Sequence, residues 1–205
     1  MPSPRFQTLS VRILELRSNL LPEEFDPTGL YAVQVHECAR AFRLLAHAEF
    51  EAFIEDRAQQ IVARAVSEWL SDGSIRPSLL SLVAFESNLG WKETTILSAK
   101  EKQRRAPDLT QRVDAARKNY LNYVIMQNNG IKEKNLLRIL LPLGVREEDI
   151  DEQWLSTLEA WATARGELAH KSGKPQRLLD PHVEFLTVQQ LQKGFGDIDE
   201  VLESV

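Results

Sequence analysis

The sequence predicts an all-α protein. Apolar residues recur at helical spacing along most of the chain, strand-like alternation is almost absent, and nine glycines and nine prolines in 205 residues are too few for a linker-rich architecture. That length suits one sizeable core or at most two small ones. We read it as a single domain, 1–205, with a core from about 27 to 205 and an N-terminal helix of about 6–20 packed on it.

The first helix places Leu9, Ile13, Leu16 and Leu20 on one face. Asp26 and Pro27 follow as N-cap and first helical residue of a long helix that meets no breaker until "SDGS" (71–74). A helix of that length invites a bend, expected near Arg57–Gln60. A shorter helix runs from Pro77 to about Asn88, then a basic connector "SAKEKQRRAPD" leads to Asp108 as the next cap. That next helix extends to Asn129, with Gly130 as left-handed terminator. "IKEKNLLRILLPLG" forms a short amphipathic helix stopped by Pro142 and Gly144. "REEDIDEQW" opens another, with acids where the helix dipole favours them, and "HKSGKPQ" closes it. A last helix covers about Val188 to Leu202, and the pattern of 180–187 does not decide between an extended and a helical course.

Net charge is −5, which argues against coating nucleic acid by bulk electrostatics. The sign is uneven: eight Lys or Arg face four acids between Lys92 and Lys118. No run reaches the ~18–20 apolar residues of a membrane span, and "MPSPRFQTLS" lacks the apolar core of a signal peptide. Cys38 is the one cysteine, so no internal disulfide can form, and a cytoplasmic, membrane-free location is the expectation. Glycine-rich phosphate loops, CxxC pairs and HExxH are absent, and neither a metal nor a cofactor is expected.

The anomaly lies in "WATARGELAHKSG" (161–173). Steps of three and four link Trp154, Leu158, Trp161, Arg165 and Leu168, so a permanent cation falls in the middle of an apolar stripe. Burying it unpaired would cost several kcal/mol. An anion must meet it: a carboxylate from another helix, a phosphate ligand, or both by turns. His170 lies five residues on, about 140° around an unbroken helix, and fraying at "HKSGK" is expected to redirect it. Arg40, Leu44, His47 and Glu51 share one face of the long helix.

Arg165-x4-His170 resembles the R-x4–6-H motif of HEPN domains, and further stretches are similar to the RiboL-PSP branch. These are "AHAEFEAFI" (46–54), a following helical pair, "NGIKEKNLLRILLPLGV" (129–145), and an acidic helix start followed by W-x-x-x-R-x-x-x-A-H-K. The resemblance covers about Tyr31 to the C-terminus. It implies a HEPN-like helical bundle and a metal-independent endoribonuclease, a toxin or defence effector, in which two chains dimerise to line one cleft. Its catalytic residues would be Arg165 and His170. A histidine can act as base or acid near neutral pH, and a guanidinium matches two phosphate oxygens and the charge that develops on them. Glu51 would hold Arg165, with His47 and Arg40 supporting, although His47 and Glu51 also suit an ordinary surface pair. Lys171, Lys174, Arg104 and Arg105 are candidates for RNA contact, against the commoner reading of such residues as solvated chain. Tyr120 and Tyr123 fit either the core or base stacking; His182 and Cys38 are read as structural. Partners implied are RNA, a second copy, and a cognate antitoxin or inhibitor.

Two departures stand out. Gly166 follows the arginine where these nucleases usually carry a polar residue, and Ser172 stands where members controlled by tyrosine AMPylation have tyrosine. Two other readings therefore stay open: a non-catalytic HEPN-like module that binds RNA, a nucleotide or a partner, and a helical adaptor in which Arg165 makes a buried ion pair.

Overall fold

A computed structural model describes residues 2–86, 109–170 and 178–205, with the side chains of 166–170 outside the description. Helices make up the described residues, and no strand occurs among them.

Helix α1 spans Pro4–Leu20. It starts earlier than expected because Ser3 and Pro4 supply both a cap and a first-turn proline, the Ser3 hydroxyl accepting the Phe6 N–H at 3.1 Å. Helix α2, Val33–Asp72, does not begin at Pro27. Asp26 instead caps a tight turn: its carboxylate accepts the Thr28 N–H at 2.8 Å, its carbonyl accepts the Gly29 N–H at 3.0 Å, and Gly29 sits at φ 69°. Once started, α2 runs 40 residues without a break at 57–60 and ends on Gly73 at φ 80°.

Helix α3 is Pro77–Phe85, and its expected extension to Asn88 lies outside the described residues, as do the basic connector and the Asp108 cap. Helix α4, Leu109–Asn122, passes into a π-helical turn at Tyr123–Gln127, so the helical path stops at Gln127 and not at Asn129. Gly130 lies beyond that end, at φ 142°. Helix α5 is Glu133–Leu140, followed by a 3-10 turn over Leu141–Leu143 and Gly144 at φ 90°. The acidic stretch forms a separate 3-10 turn at Glu147–Asp149, where Asp149 takes the Arg146 backbone N–H at 3.2 Å and its guanidinium at 2.7 Å. Helix α6 therefore starts only at Glu152 and continues to His170. Helix α7 is Pro181–Ser204, so 181–187 is helical rather than extended. Asp180 caps it, accepting from the N–H groups of His182 and Val183.

Helix α2 is the spine. Helix α1 lies antiparallel to it, tied by Arg5–Asp56 at 2.7 Å and Arg12–Glu49 at 3.1 Å. Helix α7 lies parallel to it, tied by Arg43–Glu184 and by Arg57–Asp199 at 2.7 Å. Asp199 also accepts the Ser3 N–H at 2.7 Å and hydroxyl at 2.9 Å, so one buried carboxylate joins α1, α2 and α7. Between these helices lies an aromatic core in which Phe50 stacks on Phe195 at 4.8 Å and Trp154 meets Phe195 edge-on at 5.2 Å.

Helix α6 crosses α7 where a glycine lets it approach. A Cβ on Gly194 would lie 2.2 Å from the Trp154 indole nitrogen, which donates to the Leu191 carbonyl at 3.1 Å. Overpacking of this kind costs about 1–3 kcal/mol, more than alanine gains in helix propensity. Gly194→Ala is thus expected to lower the urea midpoint of unfolding clearly. Gly196→Ala, which meets only the Phe6 ring at 2.9 Å, should shift it less.

Candidate functional site

The site grows from one stripe of α2. His47, Glu51 and Glu55 follow each other at i, i+4 and i+8 and so share a face. The segment after the π-turn docks along that face. Asn128 donates to Glu55 at 2.7 Å, and the Gly130 backbone N–H lies near enough to the Glu51 carboxyl to favour its charged form. The Gly130 carbonyl is held by the Asn135 amide at 3.3 Å. A side chain on Gly130 would come within 4.0 Å of the His47 ring, and its φ of 142° is one that glycine adopts readily.

Helix α6 closes the other side. Trp161 stacks on His47, with ring centroids 5.8 Å apart and planes 21° from parallel. The indole is itself fixed, because its N–H donates to Glu184 at 2.6 Å and Arg43, bonded to the same carboxylate, lies over its ring. One turn beyond Trp161 comes Arg165, half-buried, its Nε enclosed without a hydrogen-bond partner.

These groups meet electrostatically. Burial, reinforced by the Arg165 charge, pulls the His47 pKa down from 6.5 to about 4. Burial and the neighbouring Glu55 raise the Glu51 pKa, while Arg165 and the Gly130 N–H oppose that rise. His47 is only 2% exposed, and its Nδ1 is 3.8 Å from Glu51 without a hydrogen bond, so the two are not an ordinary surface pair. The result is a neutral imidazole, a guanidinium and two carboxyls, with orphaned buried atoms on His47, Arg165 and Asn128 (its Oδ1). Such atoms call for water or a polar ligand.

The stripe places Trp154, Leu158 and Trp161 in the core as expected, with Arg165 at its edge. Around Arg165, the structure gathers the expected Glu51 and His47. Arg40 bonds Glu37 at 2.5 Å, one turn earlier on α2. The helix does not fray before His170: the backbone passes through Gly166 as helix, and His170 is the last residue of α6, its side chain outside the description. Lys171, Lys174, Arg104 and Arg105 lie outside the described residues. Tyr120 belongs to the core, its hydroxyl donating to the Ile139 carbonyl at 2.8 Å, whereas Tyr123 is half-buried beneath Arg138. His182 stacks on Phe25 at 4.7 Å, and Cys38 is a half-buried free thiol. Sequence reasoning missed Glu55, Asn128 and the docking role of Gly130. The i+4 continuation from Glu51 and the "NNG" turn were the available signals. Among the described residues, no group of three His, Cys, Asp or Glu side chains could hold a metal ion, and no helix is long and apolar enough to cross a membrane.

A helical domain organised on one long helix, with an arginine on a late helix facing that helix's polar stripe, defines the class. The chain belongs to the RiboL-PSP-HEPN family, whose match extends over residues 9–205. It begins within α1, well before Tyr31, so the N-terminal helix is part of the family domain. Neither the curated proteins nor the solved structures contain a match to the chain. HEPN domains bind RNA and are often ribonucleases, which places this chain among nuclease-like or RNA-related modules.

The His47 shift has a consequence for stability. Its folded pKa is depressed below the unfolded 6.5, so its contribution is intact above pH 6.5 and is lost as pH falls toward about 4. At about 1.4 kcal/mol per pH unit, the loss is at most ~3 kcal/mol. Glu51 acts oppositely, its raised folded pKa letting protonation favour the folded state just above 4.5. Urea unfolding at stepped pH should therefore show a shallower decline between 6.5 and 4 for His47→Gln than for the parent chain.

Proposed function

We propose that this chain is a metal-independent endoribonuclease that cleaves RNA by attack of the ribose 2′-hydroxyl, working as a toxin or defence effector. The observation that carries this reading is Arg165: a cation on the core-facing stripe whose Nε has no hydrogen-bond partner, facing buried His47 and the Glu51 carboxyl. A structural arginine would saturate its fork with carboxylates, as Arg57 does with Asp199 and Glu203. Arg165 forms no such pair among the described residues, which suits a group reserved for phosphate.

In this reading His170 takes the 2′-hydroxyl proton or returns one to the departing 5′-oxygen, and Arg165 stabilises the phosphorane charge. Glu51 orients the guanidinium, and neutral His47 packs beside it without adding repulsion. Arg40 would support the same end of α2, while Lys171, Lys174, Arg104 and Arg105 would contact RNA. Positions 165 and 170 on a continuous helix point about 140° apart. That offset favours a site shared by two chains. An antitoxin or inhibitor protein would then act by covering that cleft.

A second reading is a non-catalytic module that binds RNA, a nucleotide or a protein. Gly166, which offers no polar side chain beside Arg165, favours it.

Purified chain incubated with total RNA in EDTA separates the two. Cleavage is expected from the parent and a loss of at least about a hundredfold from Arg165→Ala and from His170→Ala, the scale on which single acid–base and charge-stabilising groups act. Equal cleavage by all three, or none by any, sinks the nuclease reading. RNA binding without cleavage supports the second.

A further inference from the structure

A groove of about 450 Å³ opens between α3, α4 and α5, away from Arg165 but joined to its surroundings through the π-turn. Phe85, Glu86, Asn119, Tyr123, Gln127 and Arg138 line it. It shares Phe85, Arg138 and Pro142 with a second groove of about 640 Å³, so the two form one trough.

The lining is chemically mixed in a particular way. Phe85 is 57% exposed at the end of α3, and Arg138 lies over the Tyr123 ring at 6.0 Å. A planar guanidinium on an aromatic ring, beside a second exposed ring, forms a flat surface on which a base can stack. Arg138 forms no ion pair among the described residues. Amides flank the rings: the Asn119 amide nitrogen donates to Glu86 at 3.0 Å, which leaves the Asn119 carbonyl to accept, and Gln127 is exposed. Amide and carboxylate side chains match the donor and acceptor edges of bases.

The π-turn is the second, independent observation. The Asn128 N–H reaches back five residues to the Tyr123 carbonyl at 2.9 Å. Such turns are rare and recur at functional sites. This one delivers Tyr123 and Gln127 to the groove and, at the next residue, Asn128 to Glu55 in the Arg165 cluster. One backbone feature thus couples the two places.

We propose that this groove binds an unpaired nucleobase of the RNA substrate. The proposal rests on the ribonuclease reading for its substrate, but it is tested by binding. The probe is a fluorescein-labelled eight-nucleotide single-stranded RNA, compared with one of equal length carrying abasic sites, both added to the full-length His170→Ala chain. Tyr123→Ala, Phe85→Ala and Arg138→Ala in that background should each weaken the normal RNA about tenfold and leave the abasic RNA almost unchanged, while Tyr123→Phe retains affinity. Thermal melts by circular dichroism confirm that each variant is folded. The proposal falls if folded variants bind both RNAs as the parent does, or if they alter only the sedimentation of the protein. In those cases an Arg165-dependent cleavage would leave the nuclease reading standing. Base-dependent binding by a chain that never cleaves supports the groove and removes the nuclease instead.

Discussion

Two arginine–carboxylate pairs between parallel helices fix everything else in this domain. Arg43 meets Glu184 and Arg57 meets Asp199, about four turns apart on α2 and on α7. Parallel helices joined by apolar contacts alone could slip by a turn with modest loss. A slip here would strand buried charges, each at several kcal/mol. The pairs therefore specify register, and the register sets where Trp161 can bond Glu184 and stack on His47. The position of Arg165, one turn beyond that indole, follows from it.

The pairs also explain why the Arg165 cluster can stay imperfectly satisfied. Its orphaned Nε, the unbonded His47 Nδ1 and the carboxyl of Glu51 with its raised pKa are each unfavourable in a folded core. They persist because the surrounding elements are over-determined, by aromatic packing on one side and by the Asn128–Glu55 and Asn135–Gly130 bonds on the other. Unfavourable local electrostatics held by a rigid frame is a pattern that recurs at functional sites.

Legibility in the sequence followed the range of the interactions. The 154–158–161 stripe was readable because helical periodicity is local, but Arg165, expected in its middle, lies half-buried at the core's edge. Asp-Pro reads as a helix start at 26–27 and leaves the course open at 180–181, and the structure decides each for a local reason. Gly29, two residues after Pro27, takes positive φ and closes a turn, whereas "HVEFL" after Pro181 offers the helix no exit. Glu55, Asn128 and Gly130 were not readable as one cluster, because residues more than seventy positions apart meet only once α4 has packed against α2. The π-turn left no pattern either, since one extra residue in a turn shifts the periodicity by less than the sequence scatter.

The unbroken course of α6 bears on how the two motif residues can cooperate. A helix turns 100° per residue, so the backbone that aims Arg165 at α2 aims position 170 to nearly the opposite side and about 7.5 Å further along. Gly166 does not relieve this, because the helix passes straight through it. Long guanidinium arms can swing through part of such an angle; a short imidazole stem cannot. A chain acting alone would thus need to reorganise α6 to bring both groups onto one phosphate, at the cost of the helix that anchors Trp161. The proposed twofold arrangement would need no such change, since Arg165 of one copy could share a cleft with position 170 of the other. The helical phase itself, more than the motif, is the physical argument for a composite site.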